Sequence, residues 1–363
     1  MLACIDDITE METDNNDEYK TVCTNIECGG GTDEISSNKK EYTSCEQINR
    51  IVMKGSCELL NDMSITVAPS IVSTCANCGK EGGDITNTCN KCNSVKYCNA
   101  VCKKKHRNKH KKQCERIVAS LHDEALFKQP PPKEDCPICF LRMPSLQSGS
   151  RYKSCCGKVI CSGCIHAVRI RDVDVGLCPF CRIPTPNSEE VAVERIKKRI
   201  EAEDAEAMNS LACDYRDGTC GFPQDYSKAL ELWHQAAELG SARAYCRIGT
   251  AHHFGRGVEI DIMKAKHYYE LAAIGGDVQA RHNLGCMEGQ AGNMDRAIKH
   301  LMIAVKSGEA ESLEIIKLMY KDEYATKDDY STSLRAYQAY LGEVKSAQRD
   351  EAAAARDEFK YIE

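Results

Sequence analysis

No stretch of the 363-residue chain approaches the roughly 20 apolar residues that a spanning helix needs, so no transmembrane segment is expected. The opening residues, MLACIDDITEMETDNNDEYK, lack both a basic start and an apolar core, which argues against a secretory signal. Excess positive charge is missing too. A formal net charge of −6 does not suit a protein whose main task is to coat nucleic acid, and nucleic acid is not an expected partner. Without signal or span, the chain is expected in the cytoplasm or nucleus, where thiols stay reduced. Disulfides then cannot account for its 24 cysteines, and metal can.

Fifteen of those cysteines fall between Cys75 and Cys181. Residues 1–74 are polar and acid-leaning without a sustained apolar period, and are expected to be largely disordered. Cys23 and Cys28 in that region have nothing nearby to complete a site. Residues 115–135 read as a helix followed by a stiff proline-rich linker, QPPPKED. Residues 183–204 read as a linker and helix, in which Ser188 can cap a helix running through VAVERIKKRIEAEDAEAMNSLA. Residues 346–363 are expected to form a C-terminal helix or tail.

The first cysteine cluster reads CANC (75–78), CNKC (89–92), CNAVC (98–102) and HKKQC (110–114). His110 and Cys114 are four apart, so on a helix they share a face and can reach one ion. Eight ligands supply two tetrahedral zinc ions, and so small a segment needs their binding energy to fold. This order and spacing, with Tyr97 before Cys98, resembles a MYND finger over residues 75–114. The resemblance implies interleaved sites, with Cys75, Cys78, Cys98 and Cys102 on one ion. Cys89, Cys92, His110 and Cys114 would take the other. His106 is a competing candidate whose spacing to Cys114 departs from the pattern. The basic run KKKHRNKHKK (103–112) offers a nuclear-localisation or nucleic-acid reading, but also falls where a helix would expose a solvated cationic face.

The second cluster is CPIC (136–139), SCC (154–156), CSGC (161–164) and CPFC (178–181), and resembles a RING finger over residues 136–182. The histidine of the usual C-x-H step is absent. Either Cys155 and Cys156 both ligate, or Cys156 ligates and His166 is recruited from beyond the next hook. Fifteen cysteines plus His110 make sixteen ligands and four full sites, which favours the all-cysteine version. Gly157 can make the tight turn that two adjacent ligands need. A redox pair is the remaining reading of adjacent cysteines. The cross-brace of the family implies Cys136, Cys139, Cys161 and Cys164 on one ion, and Cys155, Cys156, Cys178 and Cys181 on the second.

Closed four-ligand zinc sites leave no position for water, so zinc here is structural and no catalytic residue is expected. The RING resemblance implies a ubiquitin ligase that binds a ubiquitin-conjugating enzyme through Ile138, in the first hook, and Pro179, in the last. Arg182, directly after the final cysteine, would bond both enzyme and ubiquitin through its planar fork of donors. Each residue also has a plainer reading, as seal of a knuckle, former of a turn or start of a linker.

DYSKALELWHQAAELGSARA (225–244) and DIMKAKHYYELAAIGGDVQA (261–280) align at a period of 36 residues, and two weaker copies follow. Such a period marks stacked helix pairs. It resembles Sel-like repeats, relatives of tetratricopeptide repeats, over residues 205–345. Trp233, Tyr268 and Tyr269 are expected between helices. Cys213, Cys220, Cys246 and Cys286, lacking hook spacing, are expected as small buried residues. The expected whole is multidomain: two small zinc-stabilised cross-brace domains, four zinc ions, then an all-α solenoid that binds protein partners. A non-catalytic scaffold is the competing function.

Overall fold

The computed structural model describes residues 73–82, 85–130, 134–171 and 176–362. Of residues 1–74, expected to be largely disordered, all but Ser73 and Thr74 lie outside the described residues, as does the middle of the proline-rich linker. The chain divides into two compact units, one ending at Lys128 and the other running from Gln129 onward.

In the first unit β1 (Asn87–Thr88) pairs antiparallel with β2 (Lys96–Tyr97). Helix α1 (Ala100–Phe127) follows, its first turn capped where Asn99 accepts the N–H of Cys102 at 2.9 Å. The apolar core around the strands is little more than Cys75, Ile85 and Tyr97. So small a cluster offsets only a fraction of the chain entropy lost on ordering the segment.

The second unit opens on the second cysteine cluster. Strands β3 (Ser150–Lys153) and β4 (Lys158–Cys161) pair antiparallel, and α2 (Ser162–Arg171) leaves directly from β4. Ile160, Cys161, Cys164 and Ile165 form the buried centre of this finger.

Helices α3 (Glu189–Glu201) and α4 (Ala205–Asp217) replace the single helix expected from Ser188 onward. Ser188 does cap α3, through the N–H of Val191. The break comes at Glu203, whose φ is 57°, and at Asp204, which accepts the N–H groups of Glu206 and Ala207. A carboxylate in that place satisfies donors that a continuing helix would bond elsewhere, and so starts a new helix.

Helices α5 (Tyr226–Glu238), α6 (Ala242–Phe254), α7 (Ile262–Ile274), α8 (Val278–Gln290), α9 (Met294–Lys306) and α10 (Ala310–Lys321) stack in sequence order. The 36-residue period is visible in the caps. Asp225 accepts the N–H of Lys228 at 3.0 Å, and Asp261 that of Lys264 at 2.9 Å. Gly240 and Gly276 end α5 and α7 with φ of 93° and 92°, which a side chain would resist. Trp233 and Tyr269 are buried between helices, while Tyr268 is half-buried. Of the four unhooked cysteines only Cys246 is buried; Cys213, Cys220 and Cys286 are half-exposed. Cys220 departs because it lies in the loop after α4, in a left-handed turn.

The weakest copy is an 18-residue helix, α11 (Lys327–Val344), started by a capping box between Thr326 and Asp329. The last helix, α12 (Ala347–Ala355), turns back onto the finger. Ala352 and Phe359 join its buried centre. The segment just before the repeats holds the finger as well. Tyr152 donates to Asp204 at 2.7 Å, and Arg199 donates to the carbonyls of Ser154 and Cys155 at 3.2 Å each.

Candidate metal centres

Four C-x2-C hooks close in the same way. The N–H of the residue after the second cysteine donates to the carbonyl of the first: Gly79 to Cys75, Asn93 to Cys89, Phe140 to Cys136 and Arg182 to Cys178, at 2.9–3.0 Å. Each of these four residues has positive φ, between 51° and 71°. The turn aims both sulfurs and nearby backbone N–H groups into one space, the arrangement a metal-thiolate knuckle needs.

Among the described residues four cysteine-bearing sets of ligand atoms come together, the atoms of each lying within 4.8 Å of one another. They are Cys75, Cys78, Cys98 and Cys102; Cys89, Cys92, His110 and Cys114; Cys136, Cys139, Cys161 and Cys164; and Cys155, Cys156, Cys178 and Cys181. With zinc–sulfur bonds of ~2.3 Å, a tetrahedron has sulfur–sulfur edges of about 3.8 Å. Four observed edges match it, Cys78 to Cys98 3.7 Å, Cys89 to Cys114 3.7 Å, Cys139 to Cys161 3.7 Å and Cys156 to Cys178 3.9 Å, while Cys98 to Cys102 at 3.5 Å and Cys155 to Cys181 at 3.4 Å are shorter. Cys92 Sγ stands 3.2 Å from His110 Nε2. No described cysteine is in a disulfide, and the adjacent Cys155 and Cys156 are not bonded to each other but stand as two corners of one candidate site with Cys178 and Cys181.

Electrostatics in these sets favour a cation. Backbone N–H groups, first that of Cys98 and then those of its own hook, draw the Cys75 thiol down to about 6. Burial opposes ionisation of Cys89 and Cys178, but the N–H groups of their hooks prevail and bring them to about 6 and about 7. Once one thiolate forms, its neighbours resist. The hydrogen bond with Cys102 leads in pushing Cys98 up to about 12, and burial, then Cys89, does the same to Cys114. Four thiolates at this spacing coexist only around a cation, and soft sulfur with one imidazole suits zinc.

Neither spare histidine joins a set. His106 Nδ1 lies 3.2 Å from the Tyr97 hydroxyl, and His166 packs edge-on against Phe359. Cys155 and Cys156 instead share a tight turn in which both Cys156 and Gly157 donate to the carbonyl of Lys153, with Gly157 at φ 67°.

Of the expected partner-binding residues, Ile138 packs half-buried on the finger's core, Pro179 is half-buried and Arg182 is exposed. Three residues escaped the sequence reading. Phe140 is 77% exposed, and Phe180 and Ile183 are exposed beside it in kind, all on or next to the two outer hooks. For Phe140 the signal was available, because the residue after each hook's second cysteine takes the same left-handed turn; Phe180, inside its hook, and Ile183, two residues past it, carried no such signal.

The MYND finger family matches residues 75–114, and the Sel1 repeat family matches residues 205–241 and 242–277. The chain carries a MYND finger and Sel1 repeats. Two components of an ERAD-associated E3 ubiquitin-protein ligase from Arabidopsis thaliana are similar in part. HRD3B is 32% identical over 102 residues, 27% of this chain and 17% of its own length. HRD3A is 37% identical over 70 residues, 19% of this chain and 10% of its own. The chain thus spans less than a fifth of the curated relatives it matches. A Sel1 repeat protein from Oxalobacter formigenes is 25% identical, with a TM-score of 0.37 over 46% of this chain and 65% of that one. The MYND finger and Sel1 matches leave residues 136–182 to be argued from their own geometry. No helix of the described residues is long and apolar enough to cross a membrane.

Proposed function

We propose that this protein is a RING-type ubiquitin ligase that binds four zinc ions, in which residues 136–182 hold a ubiquitin-charged conjugating enzyme. The supporting observation is the pairing of hooks in the second cluster. Cys136 and Cys139 share a centre with Cys161 and Cys164, while Cys178 and Cys181 share theirs with Cys155 and Cys156. This is an all-cysteine cross-brace whose two outer hooks carry Ile138 and Pro179, flanked by exposed Phe140, Phe180 and Ile183. Exposed apolar groups on a rigid knuckle suit a protein partner. Zinc, closed in by four ligands, contributes rigidity only. Catalysis is then a matter of orientation, with Arg182 bridging enzyme and ubiquitin carbonyls. The MYND finger and the Sel1 repeats bind substrates or other protein partners, in the cytoplasm or nucleus.

A scaffold without ligase activity is the second reading, favoured by one observation. Helix α2, SGCIHAVRIR, has no large aromatic residue where many active RING fingers place one. The partial relatives are named as ligase components, which suits either reading.

The deciding experiment is ubiquitin discharge to free lysine from a panel of charged conjugating enzymes. The full chain is needed, because α3, α11 and α12 buttress the finger. Acceleration that both Ile138→Ala and Arg182→Ala abolish, with zinc content unchanged, is expected. No acceleration with any enzyme from fully metallated protein would leave the scaffold.

A further inference from the structure

Arg349 is fully buried, yet among the described residues no carboxylate pairs with it. Its guanidinium makes a fork into the finger. Nη1 donates to the carbonyls of Val344 and Arg142 at 2.7 and 2.9 Å, and Nη2 to that of Leu141 at 3.5 Å. Nη2 also stands 3.9 Å from Cys139 Sγ, within reach of an N–H to sulfur contact. Nε has no partner. A buried cation without a counter-charge is costly, and three neutral carbonyls do not discharge it. The anion in reach is the sulfur of a metal-ligand set.

The charges then balance. Four thiolates around one divalent ion carry a net charge of about −2, whereas four protonated thiols carry none. The backbone is arranged for the same approach. A methyl group on Gly163, inside the hook 161–164, would come within 2.9 Å of the Arg349 backbone N and the Gln348 carbonyl carbon. Glycine there lets α12 lie directly against the start of α2. Ala352 and Phe359 then complete the finger's core, and Tyr361 packs against Gly149.

We propose that Arg349 is the counter-cation of the Cys136, Cys139, Cys161 and Cys164 centre, so that metal binding there and docking of residues 346–361 stabilise each other. This rests on the zinc reading above. Arg349 is a positioning residue reaching the metal through Cys139, in the manner of the outer-shell groups that hold ligands and tune their hold on zinc. The linkage is reciprocal: what holds α12 down slows loss of the ion, and loss of the ion removes the charge that holds α12. The C-terminal segment is thereby a reporter of this one centre and not of the other three.

The test uses zinc-loaded full-length protein challenged with a chelator. Native mass spectrometry counts the ions, and alkylation with peptide mapping identifies the freed thiols. Arg349→Gln is expected to release one ion of the four at least about tenfold faster, with label appearing first on Cys136, Cys139, Cys161 and Cys164. Arg349→Lys, which keeps the charge but not the fork, is expected to stay nearer the parent. Equal acceleration by Gln and Lys would reduce Arg349 to packing and overturn the proposal, as would unchanged release in Gln. In the parent, hydrogen exchange in residues 347–355 should rise with the release of that ion. A helix that stays protected after these four thiols are labelled overturns the linkage without any variant. Parent protein whose four thiols label freely before chelation would instead overturn the zinc reading beneath it.

Discussion

Phe140 and Arg182 adopt the same backbone conformation, with φ of 56° and 62°, each one residue beyond the second cysteine of its hook. The equivalent places in the MYND finger are held by Gly79 and Asn93, which tolerate left-handed backbone well. A bulky aromatic at such a position stores strain, and strain of this kind gathers at functional places. Being 77% exposed, the Phe140 ring adds little to the core in return. Phe140→Gly is therefore expected to stabilise the metallated finger by up to about 1 kcal/mol. The same change should reduce conjugating-enzyme binding. A thermal melt and a binding isotherm check the two halves separately.

Gly157 makes the turn that brings Cys155 and Cys156 to one site. Alanine there would be strained at φ 67°, and its methyl would stand 2.9 Å from Asp204 Oδ2, the acceptor of the Tyr152 hydroxyl. Gly157→Ala should cost about 1–2 kcal/mol and release the ion of that centre first. Chelator competition with thiol mapping reads both.

His110 and His106 are one helical turn apart and stacked, with ring centroids at 5.8 Å. Only His110 reaches a ligand set. His110→Ala should lower the zinc count by one, while His106→Ala should leave it unchanged and lose only the contacts with Tyr97 and His110. Native mass spectrometry of the two variants discriminates.

Buried histidines make the repeats sensitive to acid. Burial, reinforced by Arg281, depresses His300 to about 3, and burial depresses His282 to about 4. Both are neutral when folded, whereas in the unfolded chain they take up a proton near pH 6.5. Below that pH the unfolded state binds more protons, so stability falls as pH drops from about 6.5 toward 4. Each group contributes about 1.4 kcal/mol per pH unit. Hydrogen exchange in α8 and α9 should accelerate over that window, and His300→Gln should flatten the slope.

Much of this architecture was legible in the sequence because its signals are local. Hook spacing marks zinc knuckles, and the i, i+4 placing of His110 and Cys114 needs only a helix. The caps Asp225 and Asp261 and the stops Gly240 and Gly276 repeat at 36 residues, so the stacking follows from short-range pattern. The ambiguity of Cys155 and Cys156 was a matter of direction along the chain, decided by a turn that Gly157 permits. The break at Glu203 and Asp204 was less visible, since a charged run of good helix formers outweighed one capping carboxylate. Least visible was the docking of α12. Arg349 and Cys139 are 210 residues apart, and nothing in either neighbourhood announces that one will neutralise the other. Pairings of that range are set by tertiary packing.

The zinc count of the intact chain tests the account most directly. Native mass spectrometry of protein purified without chelator should show four zinc ions per chain. All fifteen cysteines of the four sets should resist alkylation until chelator is added. Fewer than four ions in folded protein, with any of the sets freely alkylated from the start, would contradict it.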